Sequence, residues 1–284
     1  FFSRPYRPLP YSIVTRSLPM SSPERVDVHT HAFHPKIAEK AVQQLESHYR
    51  IKPVGSGFWD DLQQRLAACD IHKVFVHSAA TAPEQVIPAN NWACSLRKIP
   101  GVVPFGTMHP QFPDMAGELA RLYNNGIRGI KLHPDFQGFR LDAPALLPLF
   151  AAMEGHFSLM VHVGDQLPPE QNPSCPWKVA AIKRRFPKLQ IIAAHFGGYC
   201  HWQYVVAALS GLDVYMDTSS SLFAIAQEEL EAIFKAFPRH LFLFGSDYPL
   251  WDPGAEITHL QQRLRLSDRD LEEILCAGNQ LGLT

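Results

Sequence analysis

Cysteine is scarce in this chain of 284 residues, with Cys69, Cys94, Cys175, Cys200 and Cys276 its only thiols. An odd count at wide spacings, with no C-x-x-C pair, excludes a disulfide scaffold and fits a reducing cytoplasm. Long apolar runs are missing too. None approaches the ~20 residues that a bilayer-spanning helix needs, so no membrane partner is expected. Neither sign of charge dominates: the formal net charge is −1, with acids and bases interspersed. That removes bulk attraction to nucleic acid or to an anionic membrane surface. Internal repeats, low-complexity tracts and interdomain linkers are also absent.

What is present suits one large enzyme-like domain. Residues of hydrophobic type make up 46% of the chain, and α/β barrels commonly reach ~250 residues as a single unit. The first 25 residues stand apart. FFSRPYRPLPYSIVTRSLPMSSPER carries Arg and Pro and no acid before Glu24. It reads as an upstream leader with Met20 as the natural start, or else as an Arg- and Ser-rich targeting peptide. The domain proper is therefore expected over residues 26–284.

From residue 26 short apolar runs alternate with longer amphipathic stretches. The runs are VDVHTH (26–31), KVFVHS (73–78), VVPFGTMH (102–109), GIKLHP (129–134), LMVHVGD (159–165), IIAAHFGG (191–198), VYMDTSS (214–220) and LFLFGSDYP (241–249). Near-continuous apolar strands separated by helices mean strands covered on both faces, hence a parallel sheet. Helices are expected over 60–70, 114–126, 176–187 and 267–283, the last with Ser267 or Asp268 as its cap. Eight such repeats predict a single-domain (β/α)8 TIM barrel. An open doubly wound sheet would typically place a Gly-rich phosphate turn after its first strand. Here HTHAFHP occupies that place.

The polar residues are not scattered. His29, His31, His77, His109, His133, His162 and His195 all fall at or near the C-terminal ends of predicted strands. In a barrel those ends share one rim, which holds the active site. Side chains alternate along a strand, so His29 and His31 point the same way. With His162 on the fifth run, His195 on the sixth and Asp247 on the eighth, four imidazoles and a carboxylate converge on one mouth. Mixed N/O ligation of that kind suits Zn²⁺, and also Mn²⁺ or Fe²⁺. Taken singly, His77 and His109 read as hydrogen-bonded strand-end residues. Lys131 shares a face with His133. It either bridges two metals as a carbamate, binds an anionic substrate, or pairs with Asp27.

The order DVHTH, GIKLHP, VHVG, AHFGG, FGSDYP and GNQLGL resembles the amidohydrolase superfamily from about residue 26 to the C-terminus. More narrowly it is similar to the amidohydrolase-2 group, with its aminocarboxymuconate-semialdehyde decarboxylase-like enzymes and lactone hydrolases. The resemblance implies a distorted barrel with a metal at its C-terminal mouth. It implies His29, His31, His162 and Asp247 as ligands, with Asp247 also a candidate base. His195 would hold a second metal or orient water and polarise the substrate. One ion is expected rather than two, with Lys131 in the region of the bridging residue of binuclear members. The GEIGLD motif of TatD-type nucleases is missing, which argues against a nuclease.

The expected activity is hydrolysis of an ester, lactone or amide in a small carboxylated or cyclic substrate. A divalent ion lowers the pKa of bound water to about 7 and so supplies hydroxide at neutral pH. Asp247 or His195 would take the water's proton, and His195 would assist the oxyanion or leaving group. Arg140 is a candidate clamp for a substrate carboxylate, against its reading as an exposed loop arginine. Trp177, Tyr199, Trp202, Tyr248 and Trp251 are candidates for an aromatic wall, against ordinary packing. The alternative is metal-dependent decarboxylation or hydration of an aromatic or muconate-type acid. A third reading is a barrel that binds a ligand or metal without turnover. A homodimer is the default assembly.

Overall fold

The computed structural model describes residues 24–284. Strands and helices alternate from the start: β1 (Val26–Thr30), α1 (Ala38–Tyr49), α2 (Trp59–Ala68), β2 (Lys73–Val76), α3 (Val86–Leu96), β3 (Val102–Pro104) and β4 (Gly106–Thr107). The middle of the chain follows with α4 (Met115–Asn124), β5 (Gly129–Leu132), α5 (Pro134–Gln137), α6 (Leu147–Met153), β6 (Ser158–Val161) and α7 (Pro176–Arg185). The last part runs β7 (Gln190–Ala193), α8 (Trp202–Leu209), β8 (Tyr215–Asp217), α9 (Gln227–Ala236), β9 (Phe242–Leu243), α10 (Pro253–Leu264) and α11 (Asp268–Cys276). Capping explains several starts. Asp114, Asp252 and Ser267 each accept a backbone N–H of the first turn of the helix that follows.

All pairings are parallel, in the orders β1-β2-β3 and β4-β5-β6-β7-β8-β9. The two sheets are one ring. β3 and β4 are a single barrel strand interrupted at Phe105, whose N–H still reaches Val76 O on β2 (2.9 Å). At the other seam Val28 N–H donates to the carbonyl of Phe244 (2.9 Å) and His31 N–H to that of Tyr248 (2.8 Å). The predicted run over 102–109 is thus broken, while the other seven runs each coincide with one strand, β6 and β7 beginning one residue earlier than expected.

Residue alternation sorts the side chains. Val74, Val76, Ile130, Leu132, Leu159 and Val161 belong to the apolar layer that includes the helix residues Leu62, Leu122 and Val179. The opposite face turns to the axis. Its lower layer is apolar, with Phe75, Val103, Phe105, Met160, Ile192 and Leu243 in one cluster. One step further along the same strands the inward residues become His29, His77, Lys131, His162, Asp217 and Asp247, all buried. An apolar plug therefore carries a polar floor at the C-terminal rim. The fit is tight: a Cβ on Gly129 would sit 2.4 Å from the Phe105 ring.

Of the leader expected over 1–25, residues 1–23 lie outside the described residues. Arg25 is corrected: it belongs with the barrel. Its guanidinium pairs with Glu272 (2.8 Å), and its carbonyl accepts from Lys73 N–H (3.3 Å).

Phe105 stacks against Phe75 and the edge of His77, with ring centroids 5.4 and 4.8 Å away. Removing the ring opens a cavity directly beneath the polar floor. Phe105→Ala is expected to cost about 3–5 kcal/mol in urea unfolding. A loss under 1 kcal/mol, roughly that of a surface change, would show that the plug does not support the floor.

Candidate active site

The barrel rim gathers the candidate ligands around one point. Donor atoms of His29, His195 and Asp247 lie within 4.8 Å of one another, all buried. His31 Nε2 is 3.1 Å from Asp247 Oδ1, and His29 Nε2 is 3.5 Å from the same oxygen. His162 stands one step away, its Nδ1 2.9 Å from His195 Nε2. The donor set around His29 and Asp247 is thus completed by His195, while His162 groups more closely with His133 and Asp135.

Alternation brings in His29, His31, His162 and Asp247, but it does not bring in His195. Ile192 and Ala194 face the axis, so the next residue would point outward. Instead the chain turns left-handed at His195 and Phe196, with φ of 64° and 50°. The Trp202 indole N–H donates to the His195 carbonyl (3.0 Å) and braces that turn. Ser220 and Asp247 are also left-handed, at φ 45° and 62°. Such residues cost about 1–3 kcal/mol each and gather at functional sites. The Gly245 before Asp247 allows the approach: a Cβ there would lie 2.8 Å from the Cβ of His29.

Each imidazole has one nitrogen committed to the protein. His29 Nδ1–H donates to Asp217 Oδ2 (2.9 Å). His31 Nδ1–H donates to the carbonyl of His77 (3.2 Å). His195 Nδ1–H donates to the carbonyl and hydroxyl of Ser219 (3.2 and 3.0 Å). His162 Nε2–H donates to the carbonyl of Gly164 (2.9 Å). The remaining nitrogens therefore offer lone pairs: Nε2 of His29, His31 and His195, and Nδ1 of His162. Two facing lone pairs, on His195 and His162, and a third against the Asp247 carboxylate call for a cation or a shared proton between them. Burial lowers the pKa of His29 to about 4 and of His195 also, and holds His162 well below the usual imidazole value. Neutral imidazoles backed by a carboxylate or a carbonyl are what a divalent ion requires.

Asp217 is the hub of this arrangement. It is fully buried and accepts from the His29 ring, from the backbone N–H groups of His195 (3.2 Å) and Ser219 (3.0 Å), and from the Ser219 hydroxyl. Burial alone would raise its pKa. His29 and these donors outweigh that and hold it far below the ordinary carboxylate value. Asp247 is likewise held well below its ordinary value, by His29 and His31 against the cost of burial. Its Oδ2 accepts from the Ser220 hydroxyl, which in turn accepts from the Trp251 indole N–H (3.0 Å).

Lys131 is buried with its Nζ 3.2 Å from His29 Nε2, and burial lowers its pKa to about 8. It forms no pair with Asp27, whose Oδ2 is buried without a hydrogen-bond partner. His133 stacks on His162 with centroids 3.9 Å apart. It accepts from Phe136 N–H at Nδ1 and donates from Nε2 to the Tyr49 hydroxyl (3.1 Å). Tyr49 thus keeps its own phenolic proton for another acceptor. His109 is a hydrogen-bonded strand-end residue, on Gln137 O (3.2 Å). His77 departs from that reading, for it is fully buried with neither ring nitrogen hydrogen-bonded.

Several expectations are corrected. Arg140 pairs with Asp142 (3.0 Å) on an exposed loop, because that carboxylate is two residues away and fully accessible to it. Trp177 opens α7 and is 43% exposed, away from the cavity lining. Tyr248 is buried under the rim with its hydroxyl on Asp61 (2.8 Å). Trp251 meets the site only through Ser220. Tyr199 does line a small recess beside His162 and His195. Asp217, Ser219, Ser220 and Tyr49 were not singled out in the sequence. The first three sit in VYMDTSS, where an acid and three hydroxyls at a strand end repeat the signal that marked the histidines. Tyr49 projects from a helix, and nothing in the strand pattern points to it.

Comparison with known proteins supplies the family and the fold. The chain belongs to the amidohydrolase family, amidohydrolase-2 group, which matches residues 26–277. Members of that family are metal-dependent enzymes, hydrolases and decarboxylases. A search of curated proteins gives no match. Among solved structures the fold is that of an uncharacterized TIM-barrel protein from Bordetella bronchiseptica. The two share 16% identity and a TM-score of 0.73, over 92% of this chain and 98% of that one. It is also that of a dihydroxybenzoic acid decarboxylase from Polaromonas with bound manganese (14%, TM-score 0.65, 92% and 96% covered). A probable 2-pyrone-4,6-dicarboxylic acid hydrolase from Acinetobacter baumannii is similar as well (15%, TM-score 0.62, 92% and 98% covered). The fold is a TIM barrel, and the cofactor is a divalent metal. No helix of the described residues is long and apolar enough to cross a membrane.

If Asp217 sets the His29 tautomer, Asp217→Asn weakens metal binding by about 10–100-fold, as losing a ligand's outer partner typically does. Calorimetric titration with Zn²⁺ or Mn²⁺ measures this, with circular dichroism as the check on folding. Unchanged affinity in a folded variant would remove His29 from the ligand set.

Proposed function

We propose that this protein is a metal-dependent hydrolase acting on an ester, lactone or amide carbonyl of a small carboxylated substrate in the cytoplasm. The observation that carries the reading is the set of inward lone pairs on His29, His31, His195 and His162 around the Asp247 carboxylate. We take Zn²⁺ as the resident ion, since neutral imidazoles with one carboxylate suit it, with Mn²⁺ or Fe²⁺ as competitors. His29, His31, His195 and Asp247 would hold it, with His162 the next donor in reach. One ion fits better than two. The second cluster, His133, Asp135 and His162, is already engaged: Asp135 accepts from Asn172 and Ser174, and His133 has both nitrogens bonded.

When bound, the ion would polarise the reacting carbonyl and acidify water. The chain's own groups do the rest. Asp247 Oδ1 takes the proton of the attacking water as the new C–O bond forms. The Asp247 carboxyl then returns that proton to the leaving oxygen or nitrogen as the old bond breaks. The Tyr49 hydroxyl, whose pKa burial raises well above 10, stays protonated and donates to the substrate's oxygen. Lys131 Nζ offers a second donor for a substrate carboxylate.

Non-oxidative decarboxylation is the second reading. What favours it is the charge of the lining, where Asp247 is the one acid among three lysines. A site of that sign anchors carboxylates, as the substrate names of the dihydroxybenzoate and pyrone-dicarboxylate enzymes of this fold would require.

Chelation followed by reloading with Zn²⁺ or Mn²⁺ separates the readings. Acid release from lactones and aryl esters, and CO2 release from hydroxylated aromatic acids, are followed in parallel. We expect lactone or ester hydrolysis that disappears on chelation and returns on reloading. Asp247→Asn should lower kcat by about 10²–10⁴-fold. CO2 release alone would establish the second reading. Metal-loaded protein inert to both classes would overturn the enzymatic account in favour of a binding role.

A further inference from the structure

The polar floor opens into a cavity of about 970 Å³, far more than a single six-membered ring needs. Its shape follows from two helices. On α1 and its cap, Ile37, Ala41, Leu45 and Tyr49 recur every four residues and so form one ridge along one helix face. At 1.5 Å per residue that ridge is about 18 Å long, from Tyr49 beside His133 to Ile37 at the outer rim. Ala89 and Trp92 of α3 line the cavity too. Trp92 is held in place, its indole N–H donating to the carbonyl of Ala32 (2.7 Å) and its ring edge-on to His34 (5.2 Å). Ile37 is left 53% exposed at the end of the ridge. An open apolar wall of this kind is the mark of a surface that binds something.

The ends of the cavity differ from its middle. At the inner end stand His29, His195 and Asp247. At the outer end Lys36 and Lys40 flank Ile37, one residue before it and three after. Neither makes an ion pair among the described residues. Asp247 is the one acid in the whole lining, and the walls beyond it, the lysines apart, are apolar or uncharged, so the outer half carries unpaired positive charge beside the α1 ridge.

We propose that the substrate is an elongated amphiphilic anion. Its reacting end lies at His29, His195 and Asp247, its apolar body runs along the α1 ridge opposite Trp92, and its far end carries a second negative group at Lys36 and Lys40. The proposal rests on the hydrolase reading only for which end reacts. The channel itself is defined by the helices, and its occupant belongs to the chemistry of the wall.

The test is calorimetric titration of the metal-loaded protein with linear α,ω-dicarboxylates, from hexanedioate to tetradecanedioate, beside the matching monocarboxylates. Affinity should rise about two- to fourfold per added methylene, then level off once the chain spans the ridge. Dicarboxylates of that length should bind better than monocarboxylates. The Lys36→Gln/Lys40→Gln double variant should erase about two- to tenfold of that advantage and leave the monocarboxylates unchanged. Ala41→Trp should cut the series short, and Ile37→Asp, at an exposed site that tolerates the change, should flatten its long end. Affinity independent of length, or a length dependence untouched by both Ala41→Trp and Ile37→Asp, overturns the channel. A flat series with a dimer that Ile37→Asp dissociates would assign this face to a second copy instead. A rising series with no turnover of any ester, lactone or aromatic acid would leave the channel standing and remove the hydrolase reading. Turnover of single-ring acids with a flat series would do the reverse.

Discussion

The site depends on one constraint: a buried imidazole can serve a metal only if its other nitrogen is satisfied within the protein. An unpaired buried polar atom costs about 1–3 kcal/mol, and each ring here would incur it without a partner. Asp217 answers for His29, Ser219 for His195, Gly164 for His162 and the carbonyl of His77 for His31. Every one of these partners belongs to a strand end or to the loop that follows it. The barrel therefore sets the rings' protonation as well as their position. Burial then keeps His29 neutral at physiological pH, lowering its pKa to about 4.

The same constraint explains where the backbone departs from ordinary geometry. His195, Ser220 and Asp247 adopt left-handed conformations that L residues seldom take. Backbone bonds hold the turns at His195 and Asp247. Asp247 N–H donates to the carbonyl of His29 (2.8 Å), and Phe196 N–H to that of Asp217 (2.7 Å). The cost is offset by the cross-strand bonds and by the apolar plug beneath. Phe75, Phe105, Met160 and Ile192 fill the barrel so closely that the rim cannot sag into it.

Much of this was legible in the residues. The apolar runs over 26–31 and 159–165 give the strands, and alternation places His29, His31, His162 and Asp247 on the inward face. The (β/α)8 repeat follows from the regular pulse. What was not legible depended on departures from regularity. Nothing in IIAAHFGG says that the chain turns left-handed at His195, because alternation alone sends that ring outward. Arg140 and Asp142 are neighbours along the chain, so their pairing on a loop was open to inspection, but only the loop's direction removes Arg140 from the cavity. Trp177 and Tyr248 turn on whether a ring faces the mouth or the solvent or the core beneath, which composition does not encode. Asp217 stood in plain view among the hydroxyls of VYMDTSS, but only its bond to the His29 ring shows that it serves the site. The α1 ridge needs the helix to be docked beside α3 before Tyr49 has any meaning.

The central claim is that a single divalent ion sits among His29, His31, His195 and Asp247. The most direct measurement is a crystal of the Zn²⁺-loaded protein with diffraction recorded on both sides of the zinc absorption edge. The account predicts one anomalous peak, bounded by the Nε2 atoms of those histidines and by Asp247, with Asp217 still bonded to the His29 ring. A peak confined to His133, Asp135 and His162, with His29 and Asp247 left to Lys131, would contradict it.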